Sequence, residues 1–398
     1  MDFRKYVIVV GDGMADYPIE KLGKRTPLEV ADTPNMDLIA GGTIGTFLSI
    51  PPDMEAGSDI ANMTLLGYDP KLYHTGRAPI EAASMGIDLK EGDVAYRMNL
   101  VSLSFEGKRI IMKSHSSGEI TKEEGKELVS FLKKNMPFPP DISIYPGIAY
   151  RHILIWKNGP YNVETIPPHD LLEKDISSYL SRSDPVVSLI RLSWKYLDGH
   201  PVNVRRKKEG LLPANSIWLW GQGKRPSLPS FKERFGIDGA IVCAVDLIRG
   251  LGVLVGLEPI YVEGATGYVD TNYRGKAEKA LESLERYDLV FIHIEAPDEA
   301  SHSADIEAKI YAIERIDKDV IGTLLKGLKR FPDYRILIAS DHYTPVSKRT
   351  HTKEPSPFAW AKKDQIEKGI RRKFCEKEAS SGPFFEKGYE LISSFLYC

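Results

Sequence analysis

The sequence predicts an α/β fold, in which helices flank a largely parallel sheet, with a smaller inserted α+β domain. Three short apolar runs, at residues 6–10, 288–294 and 335–339, end in turn residues, as buried parallel strands do. A helical pattern lies between the last two, because apolar residues recur every three or four positions from Ile310 to Leu324. Strands that alternate with helices are typical of an α/β sheet.

The middle of the chain has a different pattern. Residues 94–105 and 108–113 alternate between apolar and polar side chains, and a proline-rich stretch follows at 137–140. Alternation favours antiparallel strands with one face in water. This part of the chain is therefore expected to form a separate sheet.

The change of pattern predicts two domains. We expect residues 87–168 to form the inserted domain, which would bind substrate or act as a lid. Residues 1–86 and 169–398 would form the core, with all boundaries approximate. A further apolar strand, at 216–220, falls within the second core segment.

Composition excludes several classes of protein. The formal net charge of −2 gives no basic field for nucleic acid. The most apolar stretch, 237–257, contains three charged residues and does not suit a membrane span. Three widely spaced cysteines form neither a disulfide framework nor a CxxC pattern, and the apolar run at 6–10 is too short for a signal peptide. We expect a cytoplasmic protein without nucleic-acid or membrane partners, and its oligomeric state stays open.

Potential metal ligands follow each of the three predicted core strands. They are Asp12 after the first, Asp298 and His302 after the second, and Asp341, His342 and His351 after the third. Ligands of open α/β sheets bind at the carboxyl ends of the strands, so these side chains are expected to meet. Carboxylates and imidazoles together suit two divalent ions. Each residue alone has an ordinary explanation, since such an Asp often caps a helix and a loop His is often exposed.

Ser58 is the candidate nucleophile. It follows a glycine-containing turn and opens a short predicted helix that ends near Gly67. A helix N-terminus offers free N–H groups and a positive dipole to a phosphoryl group, and a neighbouring metal would activate the hydroxyl. The alternative is that Ser58 or Asp59 only caps the helix.

Six segments carry a resemblance to a known family. They are GDGMAD at 11–16, EAGSDIANM at 55–63, TGRAPIEAA at 75–83, WLWGQG at 218–223, APDEASH at 296–302 and SDH at 340–342. In this order they resemble the archaeal-type 2,3-bisphosphoglycerate-independent phosphoglycerate mutases of the alkaline phosphatase superfamily. The resemblance runs from the first strand to about residue 358. It implies an alkaline-phosphatase-like core sheet flanked by helices, with a smaller inserted domain.

The resemblance also implies a site and a reaction. One divalent ion is expected to be held by Asp12, Ser58, Asp341 and His342. The other is expected to be held by Asp298, His302 and His351. Ser58 would take the phosphoryl group of 3-phosphoglycerate and return it to the other hydroxyl of glycerate, without 2,3-bisphosphoglycerate. The donor types fit Mn²⁺, and also Zn²⁺, Co²⁺ or Mg²⁺.

A transferred phosphoryl group carries spread negative charge, so positive groups of the inserted domain are expected to bind it. The candidates are Arg97, His115 and Arg151, each of which is equally explained as a solvated residue. His115 lies in a polar loop that resembles the His-Ser segment with which these mutases contact the phosphoryl group. Arg77 and Lys224 are weaker candidates, because both lie in turns rich in glycine and proline.

Other functions share parts of this pattern. The metal ligands do not separate mutases from phosphatases, phosphopentomutases or homoserine kinase-like enzymes. The WLWGQG segment favours the mutase, and the absence of a GxxxxGK loop disfavours a conventional kinase. A non-catalytic binding protein is disfavoured, because all seven core positions keep chemically competent residues.

Overall fold

The computed structural model describes residues 4–398. Among these residues, no helix has both the length and the apolar composition that crossing a membrane requires. The strands are β1 (Arg4–Gly11), β2 (Thr43–Phe47), β3 (Asp93–Glu106), β4 (Arg109–Ser114), β5 (Ile142–Tyr145), β6 (Arg151–Lys157), β7 (Ser216–Gly223), β8 (Gly239–Val242), β9 (Glu258–Ile260), β10 (Leu289–Ile294), β11 (Asp333–Ser340), β12 (Ser356–Lys362) and β13 (Phe384–Phe385).

The helices vary from single turns to four turns. They are α1 (Pro27–Val30), α2 (Pro34–Ala40), α3 (Ser58–Leu65), α4 (Pro70–Tyr73), α5 (Arg77–Ser84), α6 (Lys122–Asn135), α7 (Ser177–Leu180), α8 (Pro185–Leu197), α9 (Pro201–Lys208), α10 (Phe231–Phe235), α11 (Asp246–Leu254), α12 (Tyr273–Ser283), α13 (Ala296–His302), α14 (Ile306–Arg315), α15 (Gly322–Leu328), α16 (Lys363–Lys368), α17 (Glu376–Ala379) and α18 (Leu391–Tyr397). A π-helical turn, Ile316–Ile321, joins α14 to α15. The apolar periodicity therefore predicted one continuous helical stretch correctly, but not its π turn.

Two compact units make up the chain. The larger comprises the residues through His74 together with Ser227–Cys398, and the smaller is Thr75–Pro226. The smaller unit extends beyond the inserted domain expected at 87–168. It contains β7, expected in the core, because β7 pairs antiparallel with β3 and packs against α8.

The larger unit contains an eight-stranded sheet in the order β13-β2-β12-β11-β1-β10-β8-β9. Its centre is parallel, since β1 lies between β10 and β11 and runs in the same direction as both. Val7 and Val9 of β1 face a cluster that includes α2, α12 and α14. Tyr6 faces the opposite side, where its ring contacts Phe395 of α18. The predicted α/β sheet with helices on both faces is confirmed.

The smaller unit is built on antiparallel strands, as its alternating pattern predicted. The long strand β3 pairs with β6 and β4 along one edge and with β7 along the other. The expectation of one wet face does not hold for most of β3. Ala95 packs against Ala78 and Ala82 of α5, while Tyr96 and Met98 lie in a second apolar cluster. Both faces of this strand are covered by helices, and sequence alternation does not reveal a second covering layer.

Candidate functional site

The register of the central strands explains why the predicted ligands converge in the larger unit. Gly11, the last residue of β1, lies opposite Ile294 of β10 and Ser340 of β11. The three strands therefore end at the same edge of the sheet. Asp12 and Asp341 are the first residues beyond two of these ends.

The first group of side chains surrounds Asp298 in the first turn of α13. His302 lies one turn further along this helix, and its Nε2 is 3.0 Å from Asp298 Oδ2. His351 approaches from the loop after β11, with its Nε2 3.4 Å from Asp298 Oδ1 and 3.0 Å from His302 Nε2. The Nδ1 of His302 is 2.9 Å from the carbonyl oxygen of Arg349. Such a contact fixes the ring of a metal-binding histidine and directs its other nitrogen to the ion.

The second group surrounds Asp12. The Nε2 of His342 lies 3.3 Å from Asp12 Oδ1, 3.6 Å from Asp341 Oδ2 and 3.1 Å from the hydroxyl of Ser58. All four residues are buried. The structure thus brings together the four side chains expected around the first ion.

Ser58 is held by the helix that it begins. Helix α3 is buried along its whole length, and Asn62 lies one turn after Ser58 on the same face. The Nδ2 of Asn62 donates to the Ser58 carbonyl (2.9 Å) and to Asp341 Oδ2 (2.8 Å). Asn62 therefore ties the start of α3 to the end of β11. The sequence analysis did not single out Asn62, although its i+4 spacing from Ser58 was visible.

Thr344 links the two groups. Its hydroxyl lies 2.5 Å from Asp298 Oδ1 and 3.1 Å from His342 Nδ1. Gly13 passes beside this contact with a φ of +59°, and a Cβ there would lie 2.5 Å from the Thr344 hydroxyl and 2.7 Å from Asp298 Oδ1. Both its conformation and the close approach require glycine.

A buried ion pair fixes the loops that carry these ligands. The Nζ of Lys309, on α14, donates to Asp16 Oδ2 (2.8 Å), to the carbonyl of Ala15 (3.3 Å) and to the carbonyl of Thr344 (3.0 Å). Asp16 Oδ2 also accepts from the N–H of Val346 (3.1 Å). The pair therefore joins the loop after β1 to the loop after β11.

The sequence analysis also missed His293, the polar residue in the otherwise apolar run of β10. Its ring is fully buried, and its Nε2 lies 3.0 Å from Asp12 Oδ2. A buried polar side chain inside an apolar strand was the available signal. Its neighbour Glu295 has Oε2 3.7 Å from His293 Nδ1.

The electrostatics of the second group favour a bound cation. Burial raises the pKa of Asp12 well above its ordinary value, and the carboxylates of Asp341 and Glu295 raise it further. Burial also raises the pKa of Asp341. Both oxygens of Asp12 lack a hydrogen-bond partner among the described residues. Buried carboxylates without partners are costly, and a divalent ion would remove that cost.

Two groups of Asp and His side chains in residues 4–398, all buried except the half-buried His351, could hold divalent metals. One is Asp298, His342 and His351, and the other is Asp12, His293 and Asp341. Their mixed oxygen and nitrogen donors are those of Zn²⁺, Mn²⁺ and related ions. The donor chemistry and the partnerless oxygens of Asp12 therefore fit a metal centre.

The three predicted substrate-binding residues lie in the smaller unit. Arg97, on β3, pairs with Glu81 (Nε to Oε2, 3.1 Å), and its guanidinium lies 4.1 Å from the centre of the Trp220 ring. Arg151, at the start of β6, is exposed, and its guanidinium lies 5.6 Å from the Tyr150 ring.

The ring centre of His115 lies 5.8 Å from that of Tyr150. Burial lowers the pKa of Arg97, Glu81 raises it, and Arg77 and Arg151 lower it further. The positive charges of Arg77 and Arg151 therefore act on Arg97.

His169 belongs to the same cluster, and the sequence analysis did not identify it. Its ring centre lies 6.3 Å from that of His115 and 5.5 Å from that of Trp220. His169 follows isoleucine and two prolines, in one turn of 3-10 helix within an otherwise irregular segment, so no periodicity marked it. Arg77, ranked as a weak candidate, also acts on this cluster, because its charge lowers the pKa of His169 after the larger effect of burial.

Comparison with known proteins agrees with this architecture. A family model described as 2,3-bisphosphoglycerate-independent phosphoglycerate mutase matches residues 40–203, and one described as type I phosphodiesterase / nucleotide pyrophosphatase matches residues 174–363. A probable 2,3-bisphosphoglycerate-independent phosphoglycerate mutase of Geobacter sulfurreducens is 45% identical over 98% of this chain and 99% of that protein. The 2,3-bisphosphoglycerate-independent phosphoglycerate mutase of Methanothrix thermoacetophila is 51% identical over 90% of each chain.

Two solved structures are similar over nearly the whole chain. A protein from Pyrococcus horikoshii has a TM-score of 0.82 and 30% identity, covering 99% of this chain and 96% of that one. A cofactor-independent phosphoglycerate mutase from Thermoplasma acidophilum has a TM-score of 0.64 and 26% identity, covering 99% of both chains.

Proposed function

The chain belongs to the family of 2,3-bisphosphoglycerate-independent phosphoglycerate mutases, and we propose that it interconverts 3-phosphoglycerate and 2-phosphoglycerate through a phosphoserine on Ser58. One observation carries the assignment of the nucleophile. Ser58 is the first residue of a buried helix, and its hydroxyl lies 3.1 Å from His342 Nε2, within the group that contains Asp12.

The proposed reaction has two transfers. Ser58 Oγ gives up its proton and attacks the phosphorus of 3-phosphoglycerate, so the Oγ–P bond forms, the bond from phosphorus to the C3 oxygen breaks, and the C3 oxygen takes up a proton in its place. The C2 hydroxyl of the glycerate then attacks the phosphoserine, gives up its proton and releases Ser58. The first turn of α3 presents backbone N–H groups to the phosphoryl oxygens in both steps.

We assign two divalent ions to this centre. Asp12, Ser58, Asp341 and His342 would hold one ion. Asp298, His302 and His351 would hold the other. When bound, such ions lower the pKa of the serine hydroxyl and offset the negative charge of the phosphoryl group. Asn62 and Thr344 orient these ligands, and Mn²⁺ is the ion that we propose, with Zn²⁺, Co²⁺ and Mg²⁺ as alternatives.

We further propose that the cationic cluster of the smaller unit binds the phosphoryl group or the carboxylate of the substrate. Arg97, His115 and Arg151 are the groups assigned to this role. Trp220 and Tyr150 hold the two guanidinium groups by cation–π contacts. The substrate is a small molecule, no 2,3-bisphosphoglycerate is required, and we place the reaction in the cytoplasm without nucleic-acid or membrane partners.

A coupled assay tests the activity directly. The purified protein, supplied with Mn²⁺ and 3-phosphoglycerate but no 2,3-bisphosphoglycerate, should form 2-phosphoglycerate, which enolase then converts in a reaction followed by absorbance. No product over a range of divalent ions would contradict the proposed function.

The nucleophile has its own test. Ser58→Ala should lower turnover by at least about 10⁴-fold, as loss of a nucleophile does in other enzymes. Ser283→Ala, a change of an equally buried serine in α12, should leave turnover within about twofold. Quenching the wild-type enzyme with ³²P-labelled substrate should label Ser58, and label on a histidine instead would exclude the phosphoserine route.

A further inference from the structure

His293 has the surroundings of a metal ligand, although the two-ion assignment gives it no role. Its side chain is fully buried, and neither ring nitrogen has a hydrogen-bond partner among the described residues. Asp12 is equally buried, and neither of its oxygens has such a partner. Two buried polar side chains without partners, at van der Waals contact with each other, require a compensating group.

The contact between these two side chains is not a hydrogen bond. His293 Nε2 and Asp12 Oδ2 are 3.0 Å apart, yet both atoms remain without a hydrogen-bond partner. Ligand atoms about 2.0–2.2 Å from a common ion are separated by about 2.8–3.1 Å in octahedral and about 3.3–3.6 Å in tetrahedral geometry. The distance is therefore that of two ligands beside one ion.

The same spacing recurs in the two groups already assigned to metals. His302 Nε2 lies 3.0 Å from Asp298 Oδ2, and His342 Nε2 lies 3.3 Å from Asp12 Oδ1. Asp12 thus faces His342 with its Oδ1 and His293 with its Oδ2. A carboxylate that presents its oxygens in two directions can bridge two ions about 3.5–4 Å apart.

A third ligand completes the group. Single ligand atoms of Asp12, His293 and Asp341 lie within 4.8 Å of one another, in a group that does not include His342. Behind the imidazole, Glu295 Oε2 faces His293 Nδ1 at 3.7 Å. At this distance Glu295 makes no hydrogen bond to the ring, so it places a carboxyl group near His293 without fixing its tautomer.

We propose that Asp12, His293 and Asp341 hold a third divalent cation, in addition to the two ions of the proposed reaction. The fully buried Nε2 of His293 would be its nitrogen ligand, and Asp12 and Asp341 would be shared with the ion beside Ser58. This site follows from the side-chain geometry of the larger unit and stands independently of the substrate.

Counting bound metal tests the proposal. Metal-free full-length protein is dialysed to equilibrium against increasing free Mn²⁺, and bound Mn²⁺ is measured by mass spectrometry. Wild type should saturate at three ions per chain and His293→Ala at two. His293→Asp, which restores an oxygen ligand, should regain the third ion. His152→Ala, a change of another buried histidine, is the matched control and should keep three.

Two results would overturn the proposal. One is saturation of the wild type at two ions, a result that needs no variant. The other is saturation of His293→Ala at the same number as wild type. If His293→Ala does not fold, as judged by circular dichroism, the wild-type count and the His293→Asp variant decide the question. Failure of the mutase assay with three ions bound would affect only the proposed function.

Discussion

Replacing Lys309 by methionine should destabilise the larger unit strongly, because it removes one half of a fully buried ion pair. The ammonium makes three hydrogen bonds, to Asp16 Oδ2 and to the carbonyls of Ala15 and Thr344. Without it, Asp16 is left as a buried carboxylate with no cation. Breaking a buried pair on one side costs about 3–5 kcal/mol.

The expected effect is large enough to measure by calorimetry. In a unit of this size each kcal/mol moves the unfolding midpoint by about 2–4 °C, so Lys309→Met should lower it by about 6–20 °C. Lys279→Met is the control, because it breaks an exposed pair with Glu282 (2.7 Å). Such pairs contribute at most about 1 kcal/mol. Scans with and without Mn²⁺ separate loss of fold stability from loss of bound metal.

A double-mutant cycle isolates the pair itself. Asp16→Asn in the Lys309→Met background should cost less than Asp16→Asn alone, because no buried charge is then left uncompensated. Metal affinity should fall about 10- to 100-fold in Lys309→Met, since the pair holds the loops that carry Asp12 and Asp341. A midpoint shift under about 2 °C, or a coupling energy under about 0.5 kcal/mol, would refute this account of the pair.

The remaining predictions concern the metal centre and the smaller unit. Chelation should inactivate the enzyme, and added Mn²⁺ should restore its activity. His302→Ala and His342→Ala should each weaken the binding of a different ion in an equilibrium-dialysis titration. Loss of the same ion in both variants would contradict the assignment. Asn62→Ala should lower kcat about 10-fold or more with a smaller change in KM, because it removes the hydrogen bonds that join the Ser58 carbonyl to Asp341. An unchanged kcat would exclude a positioning role for Asn62. Arg151→Ala or His115→Ala should lower mutase activity at least about 100-fold, while metal content stays the same. A weak phosphatase activity on phosphoglycerate should persist or rise in these variants. Near-normal mutase rates in both variants would contradict a role of these residues in substrate binding.

The convergence of the candidate metal ligands in the larger unit could be predicted from the sequence, because strand ends are local signals. Asp12, Asp298 and Asp341 each follow an apolar run, and the parallel register places those ends side by side. His293 escaped the same reasoning because it lies inside its strand, where an imidazole interrupts the apolar pattern. The buried position of Lys309 could not be predicted from the sequence, since a lysine on an amphipathic helix normally faces water.

The smaller unit was predicted less completely. Its antiparallel strands were recognised, but β7 was expected in the core, because an apolar run looks the same in a parallel sheet and in a covered antiparallel one. Arg97, His115 and Arg151 were identified by charge and by resemblance. His169 joins them only through the path of an irregular segment, which no sequence period describes.

The position of β1 in its sheet has a consequence for biosynthesis. Its two neighbours, β10 and β11, begin at Leu289 and Asp333, so β1 leaves the ribosome long before the strands with which it pairs. Thr75–Pro226 is continuous in sequence and can fold while the rest is translated, whereas β1 must wait as an unpaired apolar segment. We therefore expect nascent chains arrested before about residue 340 to bind chaperones through this segment, and Ser58 and the proposed metal ligands to assemble only after His351 has been translated.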